Sequence, residues 1–243
     1  MENSPSRLLP SHHRRNFVAD RFGGNYAPLL VALVLLYAVA PLLTDHYWTD
    51  RLLDGLFYAT VLVGARGATG RPAHLITVVA LAMLGMAASA LGDRPGRRVL
   101  SIVGDLGNAA LLIGLCVLIL RDILRHPRVR IDTIFGSLCV YLLISLIASF
   151  LYLALDTANP NAFRGINAGD NDLADLLYFS VTTLATLGYG DITPRTQLAR
   201  SLATIEALAG QLYLVVLVAH LVGLRLSQQP PDTSPPADHP PRE

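Results

Sequence analysis

The chain has 243 residues, of which 52% are hydrophobic and 15% are charged, and its mean hydropathy is +0.45. Soluble domains carry about 25% charged residues, so this chain has more apolar surface than one soluble core can bury. A protein that faces lipid needs no such core, because its exterior can be apolar too. The formal net charge of +1 gives no strong basic field for nucleic acid. The composition therefore predicts a membrane protein whose surroundings are lipids, with no nucleic-acid partner.

Six apolar runs approach the ~20 residues that a helix needs to cross about 30 Å of hydrocarbon. In chain order they cover residues 26–44, 52–65, 73–91, 99–120, 131–155 and 198–224. The second run is the weakest, because Asp54 interrupts it. The fold class predicted from these runs is an all-α membrane protein with six transmembrane helices.

The stretch between the fifth and sixth runs has a different character. Residues 157–171 form a polar loop, and residues 172–185 form an apolar segment too short to cross a membrane. A segment of this length is typical of a re-entrant or buried helix. Asn171, Asp172 and Asp175 suit its first turn, through capping and through attraction to the positive end of the helix dipole.

The same pattern divides the chain into four parts. Residues 1–25 form a polar, basic tail, and residues 26–122 form a four-helix transmembrane domain. Residues 131–225 hold the last two long runs with the short helix between them, and residues 226–243 form a Pro-rich tail that we expect to be disordered. If the chain crosses the membrane six times, both tails lie on the same side. Most of the arginines then fall on that side, although Arg94, Arg97 and Arg98 fall on the opposite side. This bias predicts a multi-pass protein of the cell membrane with both termini cytoplasmic.

One motif carries the chemistry. Residues 182–191 read TTLATLGYGD, which resembles the signature of the potassium channel pore family, with Leu187 in place of the usual Val. The resemblance covers residues 131–225 and identifies them as a pore domain of outer helix, pore helix, filter and inner helix. It implies a potassium-selective channel, with the filter between transmembrane helices 5 and 6. Because one filter segment cannot surround an ion, the subunits are expected to form a cyclic homotetramer.

A narrow pore must replace the water that a potassium ion sheds, and backbone carbonyls can do so when several point inward together. Such carbonyls require alternating backbone dihedrals, and Gly188 and Gly190 reach positive φ without a Cβ penalty. By resemblance, the carbonyls of Thr186, Leu187, Gly188 and Tyr189 line the ion sites, and the Thr186 hydroxyl completes the innermost one. K⁺ is thus the permeant ion, and no cofactor is expected.

The sequence departs from the family next to the filter. Many members have a Trp pair there, whose N–H braces the filter tyrosine, whereas this chain has Tyr178 and Phe179. Phe179 cannot donate a hydrogen bond, so Tyr178 and Thr182 are the candidates for filter support. Asp191, which directly follows the filter, is predicted to raise the local cation concentration at the outer mouth.

Three residues of the sixth run are candidates for gating. By resemblance, Gly210 occupies the position of a hinge, but a small residue also permits close helix packing. Glu206 lies in an apolar run, where an ionisable residue is a functional hypothesis by default. Its alternative role is that of a neutral carboxyl hydrogen-bonded to the pore helix. Gln211 neighbours both, whereas His220 is interpreted as a packed or interfacial residue.

Voltage sensing is not expected from this sequence. Each charge that crosses the field is worth about 2.3 kcal/mol per 100 mV, so steep gating needs several charges per subunit. The fourth run has no basic residue over positions 100–120, and it contains Asp105. Intrinsic voltage dependence is therefore predicted to be weak or absent.

The competing functions are a non-selective cation channel, a secondary transporter and a membrane enzyme. A transporter would show internal repeats and broken helices in both halves, and the sequence has neither. No clustered metal ligands, nucleophile elbow or phosphate loop indicates an enzyme. We therefore predict that the protein is not an enzyme.

Overall fold

The structure is a computed structural model of the chain, and it describes residues 26–40, 55, 57–63, 80, 85, 98–125, 131–166 and 172–227. The described helices are α1 (Ala27–Val39), α2 (Arg98–Arg125), α3 (Ile131–Ala158), α4 (Asp172–Leu184) and α5 (Gln197–Ser227). Residues 57–63 are helical as well. Two short strands, β1 (Phe163–Arg164) and β2 (Thr193–Pro194), complete the described elements.

Three of the described helices, α2, α3 and α5, are long and apolar enough to cross a membrane. The 28 residues of α3 extend about 42 Å at 1.5 Å per residue, which exceeds the hydrocarbon thickness. The first apolar run is the shorter helix α1, of 13 residues. The third run, both tails and Asn171 lie wholly or mostly outside the described residues, and the second run is described at residues 55 and 57–63. The all-α membrane class is thus confirmed, and the total of six spans stays a prediction.

The helices run past the ends of their apolar runs. The fourth run was predicted to end at residue 120, whereas α2 continues to Arg125, and α3 continues three residues beyond residue 155. Arginine and aspartate are tolerated in a helix, so the end of an apolar run does not mark the end of the helix. The pore helix prediction, 172–185, agrees with α4 to within one residue.

Helix α3 is the centre of the packing. It packs along α2 and also contacts α1, α4 and α5. Its buried side chains, among them Leu143, share one core with leucines from α1 and α2, such as Leu33 and Leu112. Between membrane helices such contacts stabilise chiefly by van der Waals packing, because lipid tails are as apolar as leucine.

Tyr26 fastens α1 to the facing ends of α2 and α3. Its N–H donates to Asp132 Oδ1 at 3.1 Å, and its hydroxyl donates to Asp122 Oδ2 at 2.6 Å. Gly136 makes room for its ring, because a Cβ atom at that position would lie 3.0 Å from the Tyr26 ring. The three helices thus meet at one buried tyrosine.

Strands β1 and β2 connect the two sides of the filter region. They pair antiparallel, with Phe163 opposite Pro194 and Arg164 opposite Thr193. The Arg195 N–H extends the pairing by donating to the Ala162 carbonyl at 2.8 Å. The loop that follows α3 is therefore tied to the segment that precedes α5.

Candidate functional site

The segment after α4 has an alternating backbone. Thr186, Gly188 and Gly190 have φ values of +59°, +54° and +82°, so every second residue lies in the left-handed region. Glycine adopts this region freely, as predicted for Gly188 and Gly190. Thr186 does so at a cost of about 1–3 kcal/mol, which the surrounding structure must offset. Such alternation turns the carbonyls of successive residues toward the same side of this segment.

The end of α4 holds this segment by backbone hydrogen bonds. The Thr182 carbonyl accepts from the N–H groups of Leu187 and Gly188 at 2.8 and 3.2 Å, and the Thr183 carbonyl accepts from Thr186 at 3.0 Å. Carbonyls of the last helical turn have no partner within a helix, so the filter segment satisfies them. The Thr182 hydroxyl instead donates to the Phe179 carbonyl at 3.0 Å. Thr182 therefore contacts the filter through its main chain.

Tyr178 contacts the filter from the side. Its ring stacks on Tyr189 with centroids 6.3 Å apart and an interplanar angle of 3°. Its hydroxyl donates to Asp191 Oδ2 at 2.8 Å. The aromatic side chain of Tyr189 and the carboxylate just beyond the filter are thus linked through one residue of the pore helix.

An aromatic trio positions the pore helix. Tyr152 of α3, Phe163 of β1 and Phe179 of α4 meet edge to face with centroids 5.2 to 5.5 Å apart. Aromatic pairs in this geometry stabilise by about 0.5–1.5 kcal/mol beyond the area that they bury. Phe179 therefore takes a packing role at a position where the family often has a hydrogen-bonding Trp.

Gly165 brings the loop after α3 close to the outer end of the filter. Its φ is +91°, and a Cβ atom placed on it would lie only 2.1 Å from the Asp191 carbonyl oxygen. Only a residue without a side chain fits here. The filter exit is thus held by Tyr178 on one side and by the backbone at Gly165 on the other.

Glu206 is buried on α5, with 5% of its surface exposed. The Tyr152 hydroxyl donates to Glu206 Oε2, and the Ser180 hydroxyl contacts Glu206 Oε1. Ser180 Oγ also lies 2.9 Å from Ser145 Oγ and 2.8 Å from the Ser145 carbonyl oxygen. The carboxyl of the inner helix thus meets both α3 and α4.

The other candidate residues on α5 have different surroundings. Gly210 is buried, and a Cβ atom on it would lie 2.5 Å from Leu184 Cδ1. Gln211 is exposed, and His220 is half-buried. Within the described residues, no group of three or more His, Cys, Asp or Glu side chains is arranged to hold a metal ion. The cation ligands predicted from the sequence stay the backbone carbonyls of residues 186–189.

Sequence comparison finds a family for this region. Residues 137–224 match the family model described as "Ion channel". They extend from Ser137 in α3 through the filter to Leu224 in α5, so the match includes every candidate site residue named above. Just over a third of the chain, residues 137–224, is thus similar to an ion channel pore domain. This match supports the predictions of a membrane ion channel and of a protein that is not an enzyme.

The similar proteins are potassium channels. Two-pore potassium channel 4 of Arabidopsis thaliana is 29% identical over 119 residues, which cover 46% of this chain and 42% of that protein. Inward rectifier potassium channel Kirbac3.1 of Paramagnetospirillum magnetotacticum is 37% identical over 89 residues, which cover 37% of this chain and 28% of that protein. Two pore potassium channel c of Oryza sativa subsp. japonica is 35% identical over 82 residues, which cover 32% of this chain and 18% of that protein. The chain thus spans less than half the length of these relatives.

The acid at the filter exit gives a testable prediction. The hydrogen bond from Tyr178 lowers the pKa of Asp191 below its ordinary value, and the same bond raises the pKa of Tyr178. A carboxyl whose pKa is lowered in the folded protein stabilises the folded structure at neutral pH. This stabilisation is lost as the pH falls through the lowered pKa. Tyr178→Phe keeps the ring but removes the donor, so the pKa of Asp191 should rise and acid should close the channel at a higher pH.

The measurement is conductance against external pH for the parent and for Tyr178→Phe. Tyr178→Leu, which also removes the stacking on Tyr189, should impair conduction at neutral pH as well. Identical acid profiles for the parent and Tyr178→Phe would show that this hydrogen bond does not support conduction.

Proposed function

We propose that the chain is one subunit of a homotetrameric, potassium-selective channel that conducts K⁺ passively across the cell membrane. The single observation that carries this proposal is the positive φ at Thr186, Gly188 and Gly190. A backbone of this alternating form presents consecutive carbonyls to one side. A stack of carbonyls is how potassium filters replace the hydration shell of the ion.

In this proposal, the ion sites are lined by the carbonyls of Thr186, Leu187, Gly188 and Tyr189. The Thr186 hydroxyl donates to the Ala185 carbonyl at 2.7 Å, so its oxygen lone pairs remain free to face an ion at the innermost site. Asp191, exposed directly beyond Gly190, attracts cations to the outer mouth.

The exposed apolar surface supports a tetramer. Leu187 and Tyr189 of the single chain are 57% and 68% exposed. The exposed large apolar side chains of α5 are Leu198, Ile205, Leu208, Leu212, Val215, Val216, Val218 and Val222. Four copies around one axis would bring the four filter strands together and cover much of this surface, as a closed cyclic assembly requires.

Weak or absent voltage dependence is part of the proposal. The basic residues of α2 are confined to its ends, at Arg98, Arg121 and Arg125. The centre of this helix instead buries Asp105 and Asn108. A helix without basic residues along its centre carries no ladder of positive charge across the field, so it gains little energy from a change in voltage.

Single-channel recording of the purified protein in planar bilayers tests the function. With potassium on one side and sodium on the other, the reversal potential should lie close to the potassium equilibrium potential, and open probability should change little with voltage. A reversal potential near zero would identify a non-selective cation channel. A conductance–voltage curve as steep as that of a channel moving several charges per subunit would contradict the predicted weak voltage dependence.

A further inference from the structure

A cavity lies between helices α2, α3 and α5. Its volume is about 390 Å³, which falls within the range of about 300–1,000 Å³ that is typical of sites for small molecules. No residue of the filter, and none of the residues described above as its supports, lines this cavity. Residues from all three helices line it, among them Leu120, Leu124, Ser137, Ile144, Ala209 and His220.

The cavity is elongated along α5. This helix begins at Gln197, shortly after the filter, so Ala209 lies at the end of the cavity nearer the filter and His220 lies at the opposite end. The helix rises about 16 Å between these two residues, at about 1.5 Å per residue. This length is half of the ~30 Å hydrocarbon core, so it matches one acyl chain in one leaflet of a bilayer.

His220 supplies a polar atom without a partner to a lining that is otherwise apolar or satisfied. The other two polar side chains of the lining, Ser137 and Tyr213, donate to the carbonyls of Thr133 and Ser137 at 2.8 and 2.7 Å. In contrast, His220 Nε2 is buried and has no hydrogen-bond partner among the described residues. A buried polar atom without a partner is costly. The broad χ2 torsion of histidine lets the ring turn this nitrogen toward a group in the cavity.

The chemistry of this nitrogen defines the head group that fits. A neutral imidazole nitrogen is either a donor or an acceptor, according to the tautomer. A hydroxyl or a protonated carboxyl both donates and accepts, so it pairs with either tautomer. His220 is the last residue of the apolar part of α5, so such a head group would lie at the edge of the hydrocarbon, next to the lipid head groups.

The apolar tail of a ligand gives no preference for this cavity over the bilayer, because lipid tails are as apolar as the side chains that line it. Binding therefore depends on the hydrogen bond to His220 and on the van der Waals contacts of a chain that fills the space. A phospholipid has two tails and a bulky head, whereas the cavity has the length of one tail and one unpaired polar atom. A molecule with a single chain fits it better.

We propose that this cavity binds a single-chain amphiphile with a carboxyl or hydroxyl head, its tail lying along α5 and its head group meeting His220. The site is separate from the ion path, so it does not depend on the proposed potassium selectivity. Leu212 and Val216 also line the cavity, and each is 64% exposed, so the cavity opens between them in the single chain. Because the proposed tetramer covers part of this face, the test is made on the assembled protein.

The first test labels the purified, assembled full-length protein with palmitic acid that carries a photoreactive group in its tail. The labelled peptides should contain residues 120–124 or 209–217, which include lining residues. Unlabelled palmitic acid and hexadecanol should compete with the probe. Hexadecane, which has the tail but no head group, should compete about 2–10-fold less well, since it lacks one hydrogen bond.

Two variants assign the head group and the tail to their ends of the cavity. His220→Leu removes the imidazole, so palmitic acid should bind about 2–10-fold more weakly, and hexadecanol should lose its advantage over hexadecane. Ala209→Phe fills the apolar end and should abolish labelling of the assembled protein. Ala219→Phe is the matched control, because Ala219 is exposed on the same helix and does not line the cavity, and it should label as the parent does.

Four outcomes would overturn the proposal. In the first, hexadecanol keeps its advantage over hexadecane in His220→Leu, so the head group does not meet this residue. In the second, assembled Ala209→Phe labels as the parent does, so the tail lies elsewhere. In the third, phosphatidylglycerol with palmitoyl tails competes as well as palmitic acid, so the occupant is a bilayer lipid. In the fourth, only dissociated subunits are labelled, so the neighbouring subunit fills the cavity.

Discussion

Gly188→Ala is expected to abolish potassium-selective conduction. The φ of Gly188 is +54°, and a Cβ atom placed on it would meet nothing within 4 Å. The substitution therefore creates no collision within the chain, and its effect comes from the backbone. A left-handed conformation costs an L-residue about 1–2 kcal/mol, and the proposed tetramer would incur this cost four times around one ion path. The backbone of residue 188 should relax away from positive φ and turn its carbonyl from the axis.

The control for this substitution is Gly107→Ala. A Cβ atom at Gly107 would also meet nothing within 4 Å, but this glycine lies inside helix α2 with ordinary helical dihedrals. Alanine there should stabilise the helix by up to about 1 kcal/mol and leave conduction unchanged. Reversal potentials of both variants under asymmetric potassium and sodium make the comparison. Selective potassium currents through Gly188→Ala would overturn the filter assignment.

The sequence predicts the parts of this site that are local in the chain. The motif at residues 186–190 places the filter, and the apolar runs place α3, α4 and α5 to within a few residues. Positive φ at Gly188 and Gly190 follows from the residue type, since glycine alone adopts it freely. Thr186 was not expected to share it. The available signal was that Thr186 lies two residues before Gly188. A backbone whose φ alternates between residues 188 and 190 continues with the same two-residue period to residue 186.

Contacts between distant segments could not be predicted in this way. Glu206 lies 26 residues from Ser180 and 54 residues from Tyr152, and neither partner has a pattern of its own in the sequence. The sequence left Glu206 as either an ionised functional group or a neutral acceptor, and left Gly210 as either a hinge or a packing site. The structure supplies the neighbours of both residues, and their roles in gating stay predictions.

Gly165 is the other position that no local pattern indicated. It lies in the polar loop after α3, where glycine is common in turns, so its residue type alone carries little information. Its importance comes from Asp191, 26 positions later in the sequence, whose carbonyl lies against it. The antiparallel pairing of Arg164 with Thr193 creates this proximity, and that pairing involves only two residues on each strand.

Gly165→Ala is therefore expected to disrupt the outer end of the filter by a different mechanism from Gly188→Ala. The φ of +91° strains any L-residue, and the new Cβ atom would lie 2.1 Å from the Asp191 carbonyl oxygen and 3.0 Å from its carbon. Strain and overpacking together correspond to about 2–6 kcal/mol per subunit. Because these neighbours are backbone atoms, they can yield only if Asp191 and the filter exit move.

Two measurements distinguish this mechanism from a general effect of the loop. Gly165→Ala should lower the thermal stability of the purified assembly and also lose potassium-selective current, because it displaces Asp191 from Tyr178. Asn161→Ala changes an exposed side chain of the same loop and should leave both properties near those of the parent. If Gly165→Ala conducts selectively with the parent's stability, Asp191 is not held by this contact, and the hydrogen bond from Tyr178 is then the main support of the filter exit.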